Sequence, residues 1–135
     1  MGIAHPEQGE IMKAKYLEFL HHTLITEQLE SPIVSVAADV LVIPVTHPYV
    51  RKTIGAVGAE ALTLANGQPG QLLVVNDYVD GAGGAGSITP VTCTGFATAV
   101  LDQAGDTFVF YYVDDTVGWI VLGAVGVAAQ PVLTV

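Results

Sequence analysis

The spacing of hydrophobic residues changes abruptly at Pro32. Before it, residues 11–29 contain no glycine or proline, and apolar side chains recur every fourth position at Met12, Tyr16, Leu20 and Leu24. This is the period of an amphipathic helix. Ser31 ends the pattern, because the residue before a proline is pushed out of the helical conformation. The sequence therefore predicts a flexible arm over residues 1–10 followed by one helix over residues 11–29.

After Pro32 the chain is rich in Val, Ile, Thr and Tyr, interrupted by Gly, Pro, Asn and Asp. Such a composition is typical of short strands joined by tight turns. It predicts strands over residues 33–36, 39–46, 61–64, 71–78, 87–94, 98–101, 107–113 and 119–125. Their spacing favours a mainly β protein, a small antiparallel sandwich or barrel. We therefore expect an N-terminal arm and helix over residues 1–32 and a β domain over residues 33–135.

The clearest alternation is TFVFYYV at residues 107–113. One face carries Phe108, Phe110 and Tyr112, and the other carries Val109, Tyr111 and Val113. Because both faces are apolar, this strand is expected to be covered on both sides. Trp119, the single tryptophan, lies in a further apolar strand. We expect Phe108, Phe110, Tyr112 and Trp119 to be either core anchors or subunit-interface residues.

Composition points to burial against other chains. Apolar residues make up 51% of the sequence and charged residues 13%, about half of the roughly 25% charge usual in globular domains. No apolar run has the length of a membrane span, and no signal-peptide pattern opens the chain. The net charge is −9, with basic residues only at Lys13, Lys15, Arg51 and Lys52. Such an acidic chain is expected to repel nucleic acid.

One glycine pattern suggests nucleotide binding. The residues that follow it argue against this interpretation. Gly81, Gly83 and Gly86 have the spacing G-x-G-x-x-G. A dinucleotide site needs a helix directly after these glycines, since its free N–H groups hold the pyrophosphate. Here the chain continues with SITPVT, which contains Pro90 and β-branched residues. We therefore expect a hairpin loop at this position and no cofactor.

Residue types that bind metals are present but poorly spaced. His21 and His22 are adjacent on the predicted helix and so point about 100° apart. Glu18 and His22 form an i,i+4 pair, which is more simply a surface contact. Asp114 and Asp115 lie in a predicted turn that offers too few oxygens for Ca²⁺. No metal site is expected.

Catalytic motifs are also lacking. Cys93 is the single cysteine, which excludes an internal disulfide, and its setting T-C-T predicts a buried, inert thiol. The sequence contains no G-x-S-x-G, H-E-x-x-H or P-loop motif. We therefore expect that the protein is not an enzyme.

Short motifs in the second half of the chain resemble those of a group of tailed-bacteriophage virion proteins, over residues 60–127. An NGxxGQ turn opens a strand, T-P and T-G-F follow, then A-G-D before an aromatic strand, and G-W near the end. The matching residues are Asn66, Gly67, Gly70, Gln71, Thr89, Pro90, Thr94, Gly95, Phe96, Ala104, Gly105, Asp106, Gly118 and Trp119.

The resemblance implies a β-rich homotrimer on the outer capsid surface, most often a head decoration, or cement, protein. Its implied partners are the major capsid protein and further copies of itself, with no direct contact to nucleic acid and no membrane. The alternative is a tail-fibre or head-fibre module that binds a host receptor. The separate N-terminal segment supplies candidate capsid-docking residues: Lys13, Lys15, Tyr16, Phe19 and Leu20.

Overall fold

The computed structural model describes residues 12–18, 31–55, 58–81, 84–126 and 132–135. The chain divides into two units, Met1–Ser31 and Pro32–Val135. In the first unit, residues 12–18 form an α-helix with exposed side chains. The arm and the rest of the predicted helix lie outside the described residues. Of the helical residues described, none belongs to a helix long and apolar enough to cross a membrane.

The second unit is a sandwich of two five-stranded sheets. Its strands are β1 Ile33–Val36, β2 Val42–Ile43, β3 Tyr49–Ile54, β4 Ala59–Leu64, β5 Leu72–Asp80, β6 Ala85–Pro90, β7 Thr98–Leu101, β8 Thr107–Tyr112, β9 Trp119–Val125 and β10 Val132–Thr134. Sheet A has the order β1-β3-β5-β8-β9, and sheet B has the order β10-β7-β6-β4-β2. The predicted fold class, a mainly β sandwich preceded by a helix, is confirmed.

The pairing within the sheets is mixed, whereas the sequence predicted an antiparallel arrangement. The first six strands alternate between sheet A and sheet B, and neighbours among them in each sheet run parallel. The pairs that involve β7 to β10 are antiparallel. The physical reason is the path of the chain. After each of the first five strands the chain crosses to the opposite sheet. When it returns to the first sheet it runs in its original direction, so the new strand pairs in parallel with the earlier strand of that sheet.

The aromatic residues of β8 and β9 form the centre of the core. Phe108, Phe110, Tyr112 and Trp119 are each 0% exposed. The Trp119 ring packs edge-on against Tyr112 and Phe110, with ring centroids 5.1 Å and 6.3 Å apart, a favoured geometry for aromatic pairs. Of the two roles expected for these four residues, core anchor and subunit interface, the structure places all of them in the core.

Several strand boundaries differ from the prediction. Strand β3 was not predicted, because Lys52 occupies an inward position between Val50 and Ile54 and interrupts the apolar alternation. Strand β10 was also missed. The strand predicted over residues 39–46 is reduced to β2, and the one over residues 87–94 becomes β6, with Cys93 making only an isolated bridge to Trp119.

The glycine-rich segment after β5 is a crossover and not the hairpin that was predicted. It leads from β5 in sheet A to β6 in sheet B. Gly81 N–H donates to the Ile54 carbonyl at 3.1 Å. A Cβ added to Gly84 would lie 2.0 Å from the Gly55 carbonyl oxygen. A glycine is therefore needed at position 84 because two backbones approach each other there.

Candidate functional site

Trp119 packs against the NGxxGQ turn at one end of the sandwich. The Trp119 Nε1–H donates to the Ala65 carbonyl at 2.9 Å, and a Cβ added to Gly67 would lie 2.8 Å from the indole ring. Gln71 Nε2–H donates to the Val45 carbonyl at 2.8 Å. Gly67, Gln71 and Trp119 therefore help to hold the two sheets together at this end.

Three further residues of these motifs, Thr94, Gly105 and Asp106, stabilise turns. Thr94 Oγ1–H donates to the Val117 carbonyl at 2.7 Å. Asp106 Oδ2 accepts hydrogen bonds from the backbone N–H groups of Asp102 and Gln103, both at 3.1 Å. Gly105, which lies between Gln103 and Asp106 in this turn, has a φ of 100°, a conformation that favours glycine. These residues thus stabilise two turns of the β unit.

The outer side of sheet A carries a continuous set of apolar side chains. Strand register places Ile33, Tyr49, Val74 and Val109 in one row across four strands. Leu72, Tyr111 and Ile120 form the next row. We call these seven residues the apolar face. Tyr49 is 47% exposed and Leu72 is 50% exposed, so large apolar groups on this face are open to a partner.

The row of residues beside the apolar face carries one positive charge and no negative charge. It consists of Ser35, Arg51, Asn76 and Thr107. The Arg51 guanidinium lies 5.0 Å from the centroid of the Tyr78 ring, in cation–π geometry. None of the described residues in these three rows is acidic, whereas exposed acids lie in turns at Asp102 and Asp114. The combination of apolar area and little charge is typical of a protein interface.

The candidate docking residues are described only in part. Lys13, Lys15 and Tyr16 lie on the helix of residues 12–18 and are exposed, Tyr16 to 63%. Phe19 and Leu20 lie outside the described residues. The docking role of this segment therefore stays a prediction.

Asp114 and Cys93, which were considered for metal binding and catalysis, make structural contacts, whereas His21 and His22 lie outside the described residues. Asp114 Oδ1 accepts from the N–H groups of Thr116 and Val117, at 2.9 Å and 2.8 Å, and so caps its own turn. Cys93 Sγ–H donates to the Phe96 carbonyl at 3.1 Å, and burial raises the pKa of this thiol. Across the parts of the chain that the structure describes, no three His, Cys, Asp or Glu side chains are grouped to hold a metal ion.

Five of the seven residues of the apolar face were not identified from the sequence. Val109 and Tyr111 were identified as an apolar second side of β8, but Ile33 and Tyr49 were not connected with it because β3 was not predicted. Outward residues of β3, beginning with Tyr49, alternate with buried ones. That alternation was the available signal, although Lys52 on the buried side concealed it.

The functional assignment of this chain depends on its own contacts, burial and charge. No protein-family model matches the sequence, and no curated protein matches it at a significant level.

Proposed function

We propose that this chain is a virion structural protein, a head decoration protein that binds the outer capsid surface of a tailed bacteriophage as a homotrimer. The observation that carries the proposal is the apolar face, whose half-exposed Tyr49 and Leu72 suit a contact with a second copy of the chain. A stable complex buries about 800 Å² on each partner. A sheet face of seven apolar residues is of the right order to supply much of that area.

The resemblance to virion proteins supports the same function. Its motif residues make the contacts that join the two sheets, such as Trp119 with Ala65, and that close the turn before β8. Proteins that share these motifs are therefore expected to share this architecture. The resemblance then implies the trimer and its place on the capsid.

The proposed mechanism is mechanical. A decoration protein binds where coat subunits meet, and its binding free energy adds to the barrier against their separation under internal DNA pressure. Many copies acting together make the shell harder to rupture. An acidic chain with net charge −9 suits a surface that faces solvent and not the genome. The segment with Lys13, Lys15 and Tyr16 is the proposed contact to the major capsid protein.

Two measurements test this function. Size-exclusion chromatography with light scattering should give three times the 14.0 kDa mass of the chain; a monomer would contradict the proposal. Quantitative mass spectrometry of phage particles should find a copy number comparable to that of the coat protein. A far smaller number would instead favour the fibre module that binds a host receptor.

A truncated chain tests the docking segment. Deletion of residues 1–30 should leave a trimer that no longer binds capsids from which the full-length protein has been stripped. Full-length protein re-added to the same capsids is the control. Complete binding by the truncated chain would overturn the role proposed for Lys13, Lys15 and Tyr16.

A further inference from the structure

One end of the sandwich interior is polar and contains a fully engaged lysine. Lys52 is 0% exposed, and its Nζ donates to the Ala37 carbonyl at 2.8 Å, the Thr53 carbonyl at 2.9 Å and Glu60 Oε1 at 2.9 Å. An ammonium group has three protons to donate. All three are therefore used, and the charge of Lys52 is paired with Glu60 in sheet B.

Asp77 lies beside this lysine without a donor of its own. It is the register partner of Lys52 in β5 and is 0% exposed. Neither of its carboxylate oxygens has a hydrogen-bond partner among the residues that the structure describes. Its backbone N–H donates to the Asp106 carbonyl at 2.8 Å, and its carbonyl accepts from Gly105 N–H. The side chain is thus buried and unsatisfied next to the turn that precedes β8.

A β-bulge directs a second carboxylate to the same place. The register of β3 and β5 passes from Lys52 with Asp77 to Thr53 with Val79, so Tyr78 is an extra residue. In a regular strand Asp77 and Asp80 would point to opposite faces, because three residues separate them. The extra residue places Asp80 opposite the buried Ile54, and its Oδ2 is buried with no hydrogen-bond partner in the described part of the chain. Bulges often redirect a side chain in this way.

Two ionised carboxylates are acceptors only, so Asp77 and Asp80 can form a hydrogen bond only when one of them carries a proton. The other charges nearby do not replace that proton. Asp102 and Asp106 add negative charge, and Lys52 is committed to Glu60. Burial, the hydrogen bond that a protonated Asp77 carboxyl donates to Asp80, and then the charges of Asp80, Asp106 and Asp102 raise the pKa of Asp77 to about 8.

We propose that the buried Asp77 carboxyl keeps its proton at neutral pH and shares it in a hydrogen bond to the neighbouring Asp80, and that this contact is a pH-sensitive latch. The pair lies where β5 meets the turn at Gly105 and Asp106, to which the Asp77 backbone is hydrogen-bonded. When hydroxide or buffer base removes the proton, two like charges remain in the interior, and their repulsion drives Asp80 toward solvent and loosens the turn. Nothing in this inference depends on the oligomeric state or on the capsid.

Carbon-13 NMR of the aspartate carboxyl groups tests the latch directly. The Asp77 signal should titrate with a midpoint near pH 8, and the backbone amide of Gly105 should shift with the same midpoint. An Asp77 midpoint near the ordinary value of about 4 would overturn the shared proton. A Gly105 signal that does not respond would overturn the coupling to the turn.

Melting temperatures give a second readout. A group whose pKa is raised on folding stabilises the fold while it is protonated, so stability falls as the pH rises from about 4 to about 8 and then levels off. Asp77→Asn and Asp80→Asn should each flatten this decline. Asp102→Asn, which removes an exposed charge nearby, should retain it. If the decline in stability were unchanged in both Asp77→Asn and Asp80→Asn, the proposal would be wrong. It would also be wrong if CaCl₂ abolished the decline in the wild type, because the two carboxylates would then bind a cation.

Discussion

The indole Nε1 of Trp119 donates a hydrogen bond of 2.9 Å to the carbonyl of Ala65, a residue 54 positions earlier in the chain. Trp119 begins β9 in sheet A, and Ala65 follows β4 in sheet B. The bond therefore links the two sheets at one end. Trp119 is 0% exposed, whereas Ala65 is exposed, so only the indole side of this bond is closed to water.

Trp119→Phe should lower the free energy of unfolding by about 1–3 kcal/mol, because a smaller ring leaves space in the core and the hydrogen bond to the Ala65 carbonyl is lost. Urea unfolding followed by circular dichroism measures the change. Tyr111→Phe, a half-buried residue of the apolar face, is the control and should change stability by no more than about 0.5 kcal/mol. Equal stability of wild type and Trp119→Phe would show that the bond contributes nothing.

Substitution of two glycines should distinguish a steric clash from the conformational cost of a positive φ. Gly118 has φ 72° and Gly95 has φ 89°. A Cβ on Gly118 would lie 2.2 Å from the Thr92 carbonyl oxygen, whereas a Cβ on Gly95 would have no neighbour within 4 Å. Gly95→Ala should therefore cost only the conformational penalty, about 1–2 kcal/mol. Gly118→Ala should cost at least twice as much by urea unfolding, and equal losses would contradict the steric explanation.

The Lys52–Glu60 pair should stabilise the fold at neutral pH and lose its effect in acid. Burial alone would raise the pKa of Glu60, but hydrogen bonds from Lys52 and the Gly55 N–H and the charge of Lys52 outweigh it, so the pKa is lowered. A carboxyl whose pKa is lowered on folding contributes stability above its ordinary pKa, and that stability is lost as the pH falls. Glu60→Gln should therefore flatten the loss of stability below about pH 4.5.

Removal of one partner should cost more than removal of both. Lys52→Met leaves the Glu60 carboxylate buried without its cation, which we expect to cost about 3–5 kcal/mol. The double variant Lys52→Met with Glu60→Gln should recover part of that loss in urea unfolding at pH 7. A double variant less stable than Lys52→Met would contradict the charge argument.

A charge on the apolar face should dissociate the oligomer. Leu72→Glu places a carboxylate where a second copy is proposed to dock, and light scattering should then report the 14.0 kDa monomer. Ala61→Glu is the matched control, because Ala61 is exposed on the outer side of sheet B. A trimer that survives Leu72→Glu but not Ala61→Glu would assign the interface to sheet B.

The sequence predicted the fold best where periodicity was undisturbed. Residues 98–101 and 119–125 were assigned within their observed limits, and residues 107–113 to within one residue, because apolar alternation there has no competing signal. The parallel pairing was not predictable from periodicity, because alternation within a strand does not reveal which sheet the strand joins. The crossover at Gly84 illustrates this, since a glycine-rich loop serves a hairpin and a close backbone crossing equally well.

The two sites differ in how far sequence could reveal them. Val109 and Tyr111 marked one part of the apolar face, since an outward apolar row is visible as alternation. The buried pair Asp77 and Asp80 could not be found in this way. Its formation depends on a bulge at Tyr78, and a bulge arises from the pairing of β3 with β5 and not from a local pattern.

The alternation of the first six strands between the two sheets has a consequence for how the chain folds. Tyr112 pairs with Trp119 only seven residues later, whereas Tyr49 pairs with Val74 across 25 residues. Closing a long loop costs more entropy than closing a short one, and non-local contacts slow folding. The β8–β9 hairpin is therefore the expected nucleus, and the parallel strands join later. On the ribosome, most of the β unit must emerge before that nucleus can form.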